Sequence, residues 1–218
     1  MKVLEADGIE LYFGDKTILN NIYFKAEENI VTGILGSNGC GKSSLLKIIF
    51  GALKPKYKSI RIDLKHQLKP LYTTKKVKYL PQFHLIPNSM KLITAFNLYD
   101  VPFSEFTSVF DLFKKYKTTK VKAISGGERR LLETYLVLKS PAEIVLLDEP
   151  FSHISPLYIE EIKKLIAKEK QHKIIVITDH LYKHIVDISD DIYLIKDGFA
   201  KKIKKIDELE FYKYASIS

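Results

Sequence analysis

The stretch VTGILGSNGCGKSSLLKIIFG, residues 31–51, constrains the fold more than any other part of the chain. Val31 to Leu35 read as a buried strand broken only by Gly33, and Leu45, Leu46, Ile48, Ile49 and Phe50 recur at helical spacing. Between strand and helix stand Gly36, four residues, then Gly41, Lys42 and Ser43, the spacing of a phosphate loop. Glycines there let successive backbone N–H groups converge on an anion, and the helix start behind them adds unpaired donors and a partial positive charge. The segment Gly36-Ser37-Asn38-Gly39-Cys40-Gly41-Lys42-Ser43-Ser44 is therefore expected to hold the polyphosphate of a nucleotide. Lys42 would reach the outer phosphates and Ser43 would sit beside Mg²⁺.

Other runs fix the class. EIVLLDEP and KIIVITDH are short, dense and β-branched, as central parallel strands buried on both faces are, and each ends in chemically active side chains. Between them SPLYIEEIKKLIAKEKQ predicts an amphipathic crossover helix with Leu157, Ile159, Ile162, Leu165 and Ile166 on its buried face. An antiparallel hairpin is expected around FGDK, and a second around Lys196-Asp197-Gly198 before a terminal surface helix. From about Pro87 to Ser140 the strand signal gives way to helical stretches. The reading is an α/β core over 1–86 and 141–218, with a helical insertion over 87–140.

Two further groups carry chemistry. Four apolar residues deliver Asp148 and Glu149 to the end of a buried strand. Beside a phosphate loop, the first acid can hold the Mg²⁺ shell and the second can orient an attacking water. In ISGGERRLLE, Ser125 is a helix N-cap and Glu128 its capping-box partner, with Gly126 and Gly127 in the first turn. Two glycines cost a helix about 1 kcal/mol each relative to alanine, so they are expected to admit a phosphate, one held by another copy of the chain.

The net charge of +9 is concentrated. Lys54, Lys56, Lys58, Arg61, Lys65, Lys69, Lys75, Lys76 and Lys78 face one acid, Asp63, and a second run holds Lys114, Lys115, Lys117, Lys120 and Lys122. Such faces meet nucleic acid, an anionic membrane surface, or only water. The dominance of lysine over arginine argues against bidentate base readout. One cysteine, Cys40, excludes an internal disulfide framework, and is either an oxidation-sensitive thiol or a small residue tolerated in the loop. No apolar run nears the ~20 residues that span a bilayer, so a non-exported cytoplasmic chain is expected.

Taken in order, GSNGCGKS, LPQ at Leu80 to Gln82, ISGGE, VLLDE and TDH at Thr178 to His180 resemble Walker A, Q-loop, signature, Walker B and switch histidine of the ATP-binding cassette (ABC) ATPases. The resemblance spans nearly the whole chain. It implies a P-loop NTPase (RecA-like) core with an N-terminal antiparallel β subdomain and an inserted α-helical subdomain, using ATP and Mg²⁺. It further implies a head-to-tail homodimer or heterodimer of cassettes that sandwiches two ATP molecules between Walker A of one and the signature of the other. By the same resemblance Gln82 senses the γ-phosphate and Mg²⁺, His180 contacts the γ-phosphate, and Phe13, rather than Tyr12, stacks on adenine. Ser155 stands where the family usually has an aspartate that helps couple the two sites. A single cassette without coiled-coil insertions resembles a transporter subunit, held at the inner face of the cell membrane by an integral membrane permease that docks on the helical insertion. A soluble ATPase acting on nucleic acid or ribosomes is the alternative, and nucleic acid is the less expected partner.

Overall fold

The computed structural model describes residues 1–211. Strands β1 (Val3–Phe13) and β2 (Lys16–Glu27) form the expected antiparallel hairpin, joined by β4 (Tyr57–Ile62) and β5 (Lys65–His66) in the order β2-β1-β4-β5. The second sheet runs β10-β9-β3-β8-β7-β6, built from β3 (Val31–Leu35), β6 (Val77–Leu80), β7 (Ile144–Asp148), β8 (Ile174–Thr178), β9 (Asp191–Lys196) and β10 (Phe199–Ile203). Its strands are parallel except β10, which closes the edge as a hairpin with β9. The terminal helix begins at Glu208, and the rest of that expected element lies outside the described residues.

The continuous apolar runs follow from burial on both faces. Alternate residues of one strand enter two different cores: Ile34, Leu146 and Val176 meet the antiparallel sheet and α1 (Lys42–Phe50). Leu35, Leu147 and Ile177 meet the layer containing α4 (Gly126–Lys139), α5 (Pro156–Glu169) and α6 (Tyr182–Ile188). Each such fully buried aliphatic side chain contributes roughly 1.5–3 kcal/mol. In α5 the expected face holds at Ile159, Ile162 and Ile166, but Leu157 is 72% exposed. The helix begins only at Pro156, so Leu157 lies in its first turn, off the buried stripe.

Residues 92–123 form α2 (Leu92–Leu98), α3 (Phe103–Val109) and two 3-10 turns. Four of their aromatic residues form a core. Phe96, Phe106, Phe110 and Phe113 are buried, and the Phe106 ring packs 4.8–5.1 Å from Phe96, Phe110, Phe113 and Tyr135. Leu98, Val109 and Leu112 remain exposed on this region. Helix α4 packs against β6, β7 and α5.

Candidate active site

Strands β3, β6, β7 and β8 are neighbours and point the same way, so the segments leaving their carboxyl ends meet above one sheet edge. There a cleft of about 600 Å³ is lined by Phe13, Ile18, Asn38, Gly39, Gly41, Lys42, Ser43, Ser44, Gln82, Glu149 and His180. This volume lies in the range of small-molecule sites. Sites foreseen separately along the sequence are thus brought together by the topology.

The loop bends because its glycines take backbone angles closed to other residues. Gly36 has φ +150°, and a Cβ there would lie 2.5 Å from the Ile195 carbonyl oxygen and 2.5 Å from Cys40 Sγ. Gly39 and Gly41 also have positive φ. Lys42 is buried and donates from Nζ to the carbonyl oxygens of Gly36 (2.6 Å) and Ser37 (3.1 Å), which braces the loop. An ammonium has three donors, so one remains for a phosphate. Helix α1 begins with no side-chain cap and no acid in its first turn, which leaves its N-terminal donors to an anion. Burial pushes the Cys40 thiol above its ordinary value, away from a reactive thiolate, which favours the plain packing role for Cys40.

Around Ser43 the polar groups form one network. Ser43 Oγ donates to Asp148 Oδ1 (3.0 Å), and Tyr79 Oη donates to Asp148 Oδ2 (3.0 Å). Gln82 Nε2 donates to Ser43 Oγ (3.0 Å) and Glu149 Oε1 (2.9 Å). Burial raises the Asp148 carboxyl above the ordinary aspartate value, opposed by the Ser43 and Tyr79 hydrogen bonds. His180 Nδ1 lies 3.4 Å from Glu149 Oε2 and 3.3 Å from Asp179 Oδ1. The Ser43, Asp148 and Gln82 donors are oxygen-rich, and no cluster of three His, Cys, Asp or Glu residues that could hold a metal occurs among the described residues. That set suits a hard cation that shares its shell with phosphate oxygens, as Mg²⁺ does.

Phe13 is 55% exposed on the cleft wall, whereas Tyr12 bonds Glu10 through its hydroxyl and lies under Lys56. Ser125, Gly126, Gly127 and Glu128 do not line this cleft. They form the foreseen capping box: Glu128 N–H donates to Ser125 Oγ (3.2 Å) and Ser125 N–H donates to Glu128 Oε2 (2.7 Å). One expectation changes here. A Cβ on Gly127 would lie 2.3 Å from the His153 carbonyl oxygen, so Gly127 has an internal packing reason, while a Cβ on Gly126 would meet nothing within 4 Å.

Four supporting residues escaped the sequence reading. Tyr79 anchors Asp148, and burial raises its own phenol far above the ordinary value. Asp179 accepts from Phe151 N–H (3.0 Å) and Leu181 N–H (2.9 Å), tying the turns after β7 and β8 together. Arg130 and Glu133, both buried on α4, bond the backbone on either side of the cleft glutamine. Their only sequence signal is charge on a helix that must otherwise be buried.

Comparison with known proteins agrees with this geometry. The family model for ABC transporters matches residues 19–152. An uncharacterized ABC transporter ATP-binding protein of Methanocaldococcus jannaschii is 32% identical, over 91% of this chain and 84% of its own. The lipopolysaccharide export system ATP-binding protein of Haemophilus influenzae is 24% identical, over 91% of this chain and 88% of its own. A solved structure described as the ATP binding subunit of an ABC transporter superposes with a TM-score of 0.84 at 18% identity, covering 99% of this chain and 95% of its own. No helix among the described residues is long and apolar enough to cross a membrane. The P-loop fold, the gathered cleft and these matches agree: the chain belongs to the ABC transporter family, as an ATP-binding ATPase.

Proposed function

We propose that this ATPase is the energy-supplying subunit of a transport system, pairing head to tail with a second cassette around two ATP molecules and driving a separate integral membrane permease from the cytoplasmic side. The observation that carries the reading is a division of labour. Lys42, Ser43, Gln82, Glu149 and His180 share one cleft, with Asp148 buried behind it and bonded to Ser43, while the Ser125-Gly126 helix start stands outside it with open space before it. A second copy can bring that helix start to the far side of a triphosphate. Relatives named for lipopolysaccharide export and for an energy-coupling factor transporter support a permease partner. The helical region 87–140, with exposed Leu98, Val109 and Leu112, is its proposed docking face.

In this reading Phe13 stacks on adenine, the loop from Gly36 to Ser44 cradles the phosphates, and Lys42 neutralises the outer ones. Bound Mg²⁺, held by Ser43 and Asp148 with Gln82 nearby, would neutralise charge on the β- and γ-phosphates. Glu149 accepts the proton of the attacking water, and its Oε2 lies 3.4 Å from Nδ1 of His180, the residue assigned to the γ-phosphate. Glu149→Gln keeps the hydrogen-bonding shape but removes the basic oxygen. Turnover should fall by about 10²-fold or more, with ATP binding retained and an ATP-dependent dimer seen by light scattering. Unchanged turnover would refute the role of Glu149.

One observation favours a second reading. Lys54, Lys58, Lys65, Lys69, Lys75 and Lys76 are exposed and make no ion pair among the described residues. A nucleic-acid-linked ATPase would show turnover stimulated by RNA or DNA and lost steeply with salt.

A further inference from the structure

Arg130 is 3% exposed and makes no ion pair with a carboxylate among the described residues. Burying a charge is costly unless it is hydrogen-bonded, and this guanidinium spends its donors on main-chain oxygens. Nη1 donates to Pro81 O (2.6 Å), Nε to Glu149 O (3.1 Å), and Nη2 to Glu149 O (2.8 Å) and Asp148 O. Each carbonyl lies at or beside a residue of the proposed hydrolytic site. Pro81 immediately precedes Gln82, and the other two belong to the acids at the end of β7.

Glu149 gives the contact its meaning. Its φ is +55°, a left-handed conformation that costs a non-glycine residue about 1–2 kcal/mol. The strained residue is held from both ends, by its N–H donating to Thr178 O (2.7 Å) and by Arg130 on its carbonyl. The same helix grips the segment after Gln82. Glu133 Oε1 accepts from Leu85 N–H (2.9 Å) and Ile86 N–H (3.0 Å), and Arg129 donates to Ile86 O and to Asn88 Oδ1 (2.5 Å). Five residues upstream of Arg130, α4 begins at the Ser125 cap.

We propose that Arg130 is a positioning residue which ties the start of α4 to Glu149 and Gln82 of the same chain, so that a nucleotide held across the interface by Ser125 and Gly126 sets the hydrolytic geometry of the chain's own cleft. The inference rests on the head-to-tail reading above. It requires that the two clefts of a pair act cooperatively and that Arg130 carries the coupling.

The test uses the full chain with ATP and Mg²⁺, and reads kcat, KM and the Hill coefficient of ATP hydrolysis. Arg130→Lys keeps the charge but not the fork that reaches three carbonyls. Arg130→Gln buries no charge and keeps the test alive should the lysine variant unfold. For wild type a Hill coefficient above one is expected. In either folded variant kcat should fall at least about tenfold, KM should stay within about twofold, and the Hill coefficient should drop to one, since ångström-scale misplacement of a catalytic group carries losses of this order. A Glu149→Gln background should still form the ATP-dependent dimer when Arg130 is changed. A wild-type Hill coefficient of one, or a variant whose kcat falls while its cooperativity persists, overturns the coupling role. Absence of any ATP-dependent dimer with Glu149→Gln alone removes the head-to-tail reading, and the inference with it; a dimer that forms while Arg130 variants behave as wild type removes the inference alone.

Discussion

The two glycine-bearing segments of this chain look alike in sequence, and their glycines answer to different demands. In the loop before α1, Gly36, Gly39 and Gly41 all have positive φ, so the backbone path itself requires them. At the start of α4, Gly126 and Gly127 are helical, and what matters is the space around them. Gly127 has a backbone oxygen where a side chain would go, and Gly126 has open space. A spacing motif therefore reports a shape without saying whether torsion, internal packing or a ligand imposes it. Of the two, only Gly126 lacks a packing reason of its own.

The comparison can be broken at its strongest point first. Gly36→Ala combines left-handed strain with a Cβ 2.5 Å from the Ile195 carbonyl oxygen. It should lower stability by about 3 kcal/mol and abolish ATP binding, read by urea denaturation and by titration with a fluorescent nucleotide. A milder and sharper contrast comes from neighbours in α4. Gly127→Ala gains helix propensity but collides with His153 O, so a net loss of about 1–2 kcal/mol is expected. Gly126→Ala meets nothing, and should raise stability by up to ~1 kcal/mol while cutting ATP turnover about tenfold, if that position faces a partner's phosphate. Equal effects from the two alanines, in either direction, would erase the distinction.

The smallest expected effect concerns Asp179, the brace between the turns after β7 and β8. Burial holds its carboxyl above the ordinary value of 3.8, so the folded chain takes up this proton before the unfolded chain does. Its contribution to stability is accordingly greatest in acid and is lost as pH rises from 3.8 through the raised native value. Asp148 shares this sign. Asp179→Asn should flatten the slope of unfolding free energy against pH across that window, whatever it does to the absolute level, and an unchanged slope would show that other groups govern it.

Much of this was legible along the chain because the signals are local. Val31–Leu35, Ile144–Asp148 and Ile174–Thr178 declare buried parallel strands by composition, and the chemistry sits at their carboxyl ends. The capping box needed only four consecutive residues. What escaped depends on contacts distant in sequence. Strand β4, TyrLysSerIleArgIle, is disguised by the charge of its exposed positions, and pairs with β1 some fifty residues earlier. No pattern announces that Glu149 adopts a left-handed backbone, because the strain is supported by Thr178 and Arg130 from other elements. Likewise the aromatic rings of α2 and α3 gave no sign of whether they faced a partner or one another, a matter decided by how those helices fold onto Tyr135.

The hydroxyl of Tyr79 has a consequence for ion choice. Both oxygens of Asp148 accept a hydroxyl, Oδ1 from Ser43 and Oδ2 from Tyr79, so a cation that gripped the carboxylate with both oxygens would crowd the phenol's proton. A large ion such as Ca²⁺, which fills its wide coordination sphere with two-oxygen grips, gains little from such a donor. A small octahedral ion that keeps its waters and asks for one protein oxygen at a time loses nothing. In the proposed Mg²⁺ site, Tyr79 would thereby favour a small ion over a large one without touching it.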